Sequence, residues 1–213
     1  MFEFIGDSYR QILFSSWQHF SLVAQCLILA TIIAVGIAAL VYRNKSLSGL
    51  ANGISAIGLT VPSFAAIGLL IAPFGFGVTP SVIVVTFFAA LPIVRNAIVG
   101  LDGISPAIVE SARGIGMSRM RTLATVELPM AWPVILSGIR VSAQMVMGVA
   151  AIAAYALGPG LGGFIFSGLS RIGGAKSLDS LLVGVIGVVI LAFILDLILL
   201  GIGRLTTPRG IRV

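Results

Sequence analysis

Charge is the scarcest property of this 213-residue sequence. Asp, Glu, Lys and Arg make up 9% of it, where a soluble domain carries roughly a quarter. With 58% hydrophobic residues and a mean hydropathy of +1.15, an integral membrane protein is the only comfortable class. Cysteine occurs once, as Cys26 in an apolar run, which excludes an intrachain disulfide and reads as a small buried apolar residue. Histidine also occurs once. His19 has no cysteine or carboxylate cluster around it, so no metal site is expected and it reads as an interfacial residue. There is no phosphate-binding loop: Gly173-Gly-Ala-Lys-Ser177 has Ala175 where such a loop needs glycine. No serine has a base to activate it. The net charge of +6 comes without a basic stripe interleaved with aromatics, which argues against nucleic acid. Glu3 and Asp7 replace the basic start of a signal peptide. The chain alone is therefore expected to be no enzyme and to hold no cofactor or metal.

What is present is a series of long apolar runs. Residues 1–19 carry Phe2, Ile5, Tyr9, Ile12, Leu13 and Trp17 at helical spacings, but are too polar to span. They read as an extracytoplasmic interfacial helix or as a lead-in to the first span. That span is the uncharged run Phe20–Tyr42, since about 20 residues cross a bilayer. A second run, Leu47–Ala72, contains Pro62, which predicts a kink or break. The third span covers about Ser81–Val99, the fourth about Ala131–Leu157, and the fifth about Leu181–Ile202. Gly158-Pro-Gly-Leu-Gly-Gly163 ends the fourth, and a loop with Arg171, Lys176 and Asp179 is expected after it. The expected fold is an all-α membrane bundle of about five spans. Its transmembrane body covers 20–204, and 205–213 form a tail.

Five spans place the termini on opposite sides. With the polar stretch between the third and fourth spans inside, the inside holds Arg43, Lys45, Arg95, Arg113, Arg119, Arg121, Arg204, Arg209 and Arg212. The outside holds only Arg10, Arg171 and Lys176. Positive charge marks the cytoplasmic side, so the N-terminus is expected outside and the tail in the cytoplasm.

Two charges fall inside spans. Arg140 lies seven residues past Pro133 and Asp196 eight before Arg204, depths of about 10 and 12 Å from the same side. An ion pair across the fourth and fifth helices is one expectation, because a lone charge at depth is costly. Snorkelling of Arg140, with Asp196 in a wet cavity, is the other.

The polar stretch itself, Ser105–Pro129 within a loop at 100–130, reads as two short helices. Ser105 and Pro106 open the first, Gly114 and Gly116 end it, and Ser118 opens the second. Glu110-Ser111-Ala112, then Gly116, Val126, Leu128 and Pro129, resemble the EAA loop of binding-protein-dependent ABC importer permeases. That pattern is E-A-A, three residues, G, nine residues, I, one residue, L-P. The departures are Ser111 for Ala and Val126 for Ile. Within that family the chain is most similar to osmoprotectant permeases, for glycine betaine, choline, carnitine or proline betaine. The similar stretches are Leu59–Phe64, Leu91–Asn96, Val126–Pro129 and Leu205–Gly210. Gly158–Gly163 differs from the family's usual G-A-G-G-L-G.

The resemblance implies a type I ABC importer permease fold in a bacterial or archaeal cell membrane. It implies that Glu110, Ser111, Ala112, Gly116, Val126, Leu128 and Pro129 belong to cytoplasmic coupling helices. These dock on a separate ABC ATPase dimer, which carries ATP and Mg. It also implies a second permease chain, identical or different, and a separate extracytoplasmic substrate-binding protein. A permease for another small solute, such as an amino acid, is one alternative. A carrier or channel without an ATPase is the other, since Pro62 and Pro92 can be read as marking discontinuous helices.

Overall fold

The computed structural model describes residues 1–207. Arg209, Arg212 and most of the 205–213 tail lie outside the described residues. The elements are all helical. In chain order they are α1 (Phe2–Val41), α2 (Lys45–Gly58), α3 (Ser63–Phe74), α4 (Val78–Asp102), α5 (Pro106–Gly114) and α6 (Arg119–Thr122). A π-helical turn (Leu123–Glu127) leads into α7 (Leu128–Ala153), which a 3-10 turn (Ala154–Ala156) ends. Helices α8 (Gly162–Ser170) and α9 (Ser177–Thr206) follow.

α1, α4, the rod Arg119–Ala156 and α9 are each long and apolar enough to cross a membrane. The pair α2 and α3, bent by 94°, is apolar enough to make a fifth crossing as one broken span, or a re-entrant loop. Pro62 is the cause. It cannot donate into a helix, and it drives the residue before it away from helical backbone. Pro62 itself sits at ψ 121 as the cap of α3.

The separate interfacial helix expected at 1–19 gives way to one continuous helix of 40 residues. Nothing in Ser15-Ser16-Trp17-Gln18-His19-Phe20 interrupts a helix, so the pattern runs through. The rod is about 60 Å long, roughly twice the hydrocarbon thickness of a bilayer. Its first turns are tied to the α8–α9 connection. The Met1 ammonium meets Asp179 at 2.8 Å, and Lys176 meets Asp7 at 2.8 Å and Glu3 at 3.6 Å. The hydrogen bond that Lys176 donates to Asp7, then the charges of Asp7 and Glu3, push the Lys176 ammonium pKa up.

α4 and α7 form the centre. About 61% of the most apolar stretch of each is buried, against 11% for α9, which lies at the rim. The two centre helices approach closely at Gly138, where an added Cβ would lie 2.6 Å from the Cβ of Asn96. Pro92 sits inside α4 and frees carbonyls on the preceding turn. Ser142 of α7 donates to the Ala89 carbonyl at 2.7 Å, so the neighbouring helix supplies a donor next to the break.

Two local expectations change. His19 is fully buried, with Nε2 3.2 Å from the Met147 carbonyl of α7, and is not interfacial. The wide helical period places it on the face of α1 that carries Val23, Cys26 and Ala30, all buried. The loop expected after Gly163 contains α8, which packs on α9 through Ser180 Oγ donating to the Phe164 carbonyl at 2.8 Å. Its flanking glycines hid it.

Candidate functional site

The polar stretch leaves α4 at Asp102 and returns to the bundle at Leu128. Ser105 occupies the cap position of α5 without a capping bond from its side chain, and Pro106 takes the first turn. α5 buries almost nothing: Ala112 is its one buried residue. Glu110 and Ser111 are exposed, with Ser111 Oγ donating to the Ala107 carbonyl at 2.8 Å. The helix stops in a Schellman motif. Met117 N–H donates to the Ala112 carbonyl at 3.1 Å and Gly116 N–H to the Arg113 carbonyl at 2.9 Å. Gly116 sits at φ +89, where a side chain is strained. This reversal sets α5 and α6 at an angle on one exposed ledge.

Ser118 caps α6, its Oγ accepting from Arg121 N–H at 3.4 Å. The π turn follows, and Pro129 explains it. Proline offers no N–H to the Thr125 carbonyl and its ring crowds that carbonyl. The helix widens instead, with Leu128 N–H reaching back to the Leu123 carbonyl. Val126 and Leu128 are half-buried and Pro129 is exposed.

The widened turn directs Glu127 inward, where it is 1% exposed. Tyr42 Oη donates to one of its carboxylate oxygens, and Arg43 donates to the other at 2.5 Å. The Arg43 guanidinium also lies 5.1 Å from the centre of the Tyr42 ring. Both donors come from the end of α1. The clamp therefore joins the first helix to the start of α7, and Glu110 and Arg113 share with it a cleft of about 410 Å³. The sequence reading placed Arg43 only in the charge count and Glu127 only within the Val126–Pro129 stretch. The signal was there: Glu127 is the one acid in Leu123–Leu128 between Val126 and Leu128, and a charge with such neighbours needs a partner.

Deeper in the bundle the structure brings Arg140 and Asp196 together. Arg140 Nε donates to Oδ1 and its terminal nitrogen to Oδ2, both at 3.0 Å. Gln144 adds a bond to Oδ1 at 3.3 Å. The planar fork meets the carboxylate edge on and ties α7 to α9. Among the described residues no group of three or more His, Cys, Asp or Glu side chains is placed to hold a metal ion. What the arrangement can do is mechanical: an exposed two-helix ledge is joined rigidly to two spans.

A sequence profile described as "Binding-protein-dependent transport system inner membrane component" matches residues 11–209. The osmoprotectant import permease protein OsmW of Salmonella typhimurium is 40% identical over 202 residues, covering 92% of each chain. The choline transport system permease protein OpuBB of Bacillus subtilis is 33% identical over 99% of this chain and 95% of its own. The carnitine transport permease protein OpuCB of Listeria monocytogenes is 34% identical over 98% and 94%. In three dimensions the fold matches a chain of the inward-facing MetNI methionine ABC transporter with a TM-score of 0.76, over 92% of this chain and 96% of that one, at 19% identity.

Proposed function

Because the chain belongs to the binding-protein-dependent transport system inner membrane components, and is thus a permease subunit of an ABC importer in a multi-pass membrane setting, we propose that it forms half of a path for compatible solutes. The cargo is of the glycine betaine, choline, carnitine and proline betaine class. The family membership replaces the reading as a carrier or channel without an ATPase. The subunit itself is not catalytic.

The exposed ledge of α5 and α6 carries this reading. It holds Glu110, Ser111, Ala112 and Gly116 at the spacing of the EAA loop, ends in a reversal that only glycine enters without strain, and is stapled to α1 through Glu127. In our reading it docks on a cytoplasmic ATPase dimer, where ATP and Mg reside. Closure of that dimer pushes the ledge, and Val126, Leu128 and Pro129 pass the displacement into α7. A second permease chain faces this one across the path, and an extracytoplasmic binding protein delivers the solute. The excess of Arg and Lys at the ledge's end supports a cytoplasmic ledge and tail and an external N-terminus.

The test is uptake of labelled solutes by cells whose only such system is this permease with its co-expressed ATPase and binding protein. ATP-dependent accumulation of a quaternary ammonium solute is expected. Accumulation of an amino acid alone would reject the cargo assignment. Failure of an ATPase subunit to co-purify would reject the docking role of the ledge.

A further inference from the structure

Two interruptions of helical backbone meet on one side of the bundle. The first is the α2–α3 break, where Leu59, Thr60, Val61 and Pro62 are exposed. The second is the end of α7, where the 3-10 turn closes on Leu157 in left-handed backbone at φ +60. α3, which starts at the break, is tied to that turn at both of its ends. Past its far end, Gly77 N–H donates to the Ala156 carbonyl at 2.6 Å. The ring of Phe64, just past the break, lies 4.6 Å from that of Tyr155, inclined by 52°. Phe166 of α8 follows, 5.9 Å from Tyr155 at 53°. Phe64 and Tyr155 remain 48% and 49% exposed, so half of each ring is open.

Irregular backbone at membrane depth is not tolerated against lipid; it is buried in protein or lines a water-filled path. α2 has 14 residues, about 21 Å of helix, so the break lies within the roughly 30 Å of hydrocarbon thickness. This side of the chain thus faces the path or a partner across it. It presents aromatic rings and no acid: from Lys45 to Leu101, and from Leu128 to Leu178, the sequence contains neither Asp nor Glu. A cation here meets the negative faces of rings rather than a carboxylate. That attraction is modest, which suits a transport site, where binding must permit both entry and release.

We propose that Phe64, Tyr155 and Phe166 form a cation–π station for the quaternary ammonium group of the solute on its way through the membrane. The proposal rests on the compatible-solute reading above, and adds where this chain itself meets the cation.

The test uses the complete complex in liposomes, with binding protein outside and labelled choline or glycine betaine as solute. Tyr155→Leu and Phe64→Leu are expected to lower transport by about 2- to 30-fold, the range of a cation–π contact, and Tyr155→Phe to keep it near wild type. Phenylalanine with one, two and three ring fluorines at position 155 weakens the ring face stepwise at nearly constant shape. Transport should fall in the same steps. Stimulation of the ATPase by liganded binding protein should stay intact, which reports a folded, assembled complex. A fluorinated series without a trend, or a Tyr155→Phe loss as large as that of Tyr155→Leu, overturns the station while leaving the cargo assignment standing. A wild-type complex that moves no quaternary ammonium solute rejects the cargo assignment, and the station with it.

Discussion

Removing Arg43 should cost more than removing Arg43 and Glu127 together. The Glu127 carboxylate is 1% exposed and takes its charge-bearing partner from Arg43 and a neutral one from Tyr42. In Arg43→Met the carboxylate stays buried with the phenol alone. Breaking a buried pair from one side costs about 3–5 kcal/mol. The Arg43 side chain is 26% exposed, so water reaches the vacated position and the lower end of that range, about 3 kcal/mol, is expected. Tyr42→Phe removes one hydrogen bond to a charged group, about 1.5–3 kcal/mol. The double variant Arg43→Met/Glu127→Leu removes both charges and leaves no orphan ion; it leaves the buried Tyr42 hydroxyl without its acceptor, about 1–3 kcal/mol, and is expected to lose less than Arg43→Met. Unfolding of the purified complex in one fixed detergent, compared between variants, gives the ordering. Coupling is read separately, as solute moved per ATP hydrolysed. If α1 moves with the ledge through this clamp, the double variant recovers stability but not that ratio. Equal destabilisation in Arg43→Met and the double variant would refute the orphan-charge reasoning.

Three further outcomes follow from the geometry. Arg140→Met and Asp196→Leu should each destabilise more than the double variant, because each single change leaves an uncompensated ion at depth; additive losses in the cycle would contradict this. Gly116→Val should reduce co-purification of the ATPase subunit while the spans remain inserted, since φ +89 and the Schellman bonds give α5 and α6 their angle; normal ATPase recovery and normal uptake would refute it. Gly138→Leu should destabilise the bundle by about 1–3 kcal/mol, because Asn96 stands 2.6 Å from the added Cβ and is itself held by a 2.9 Å bond to the Pro92 carbonyl; unchanged thermal unfolding would contradict so close an approach of α4 and α7.

Much of this was legible in the chain. The break at Pro62 follows from proline chemistry at one residue and appears as a 94° bend. The ledge was legible because it is polar where its flanks are not, and because Gly116 must take a backbone shape that other residues avoid. The equal depths of Arg140 and Asp196 suggested a pair, but depth alone left snorkelling open; only the facing of α7 and α9 brings the fork onto the carboxylate. The sequence left residues 1–19 open between a separate interfacial helix and a lead-in to the first span, because polarity changes at residue 19 while helical continuity does not. A hydropathy step marks a change of solvent, not the end of a helix. α8 was missed because nine residues between glycines carry too little pattern to show a helix.

The sequence by itself determined the class, the long apolar crossings and the local bends. Those depend on hydrophobic length and on backbone chemistry carried by single residues. The tertiary structure decided which residues distant in sequence became partners. Glu127 meets Tyr42 and Arg43 because a π turn rotates it inward onto the end of α1. Phe64 meets Tyr155 because two breaks in different spans come together. Such pairings depend on the relative rotation and translation of whole helices, which the packing of many side chains sets together.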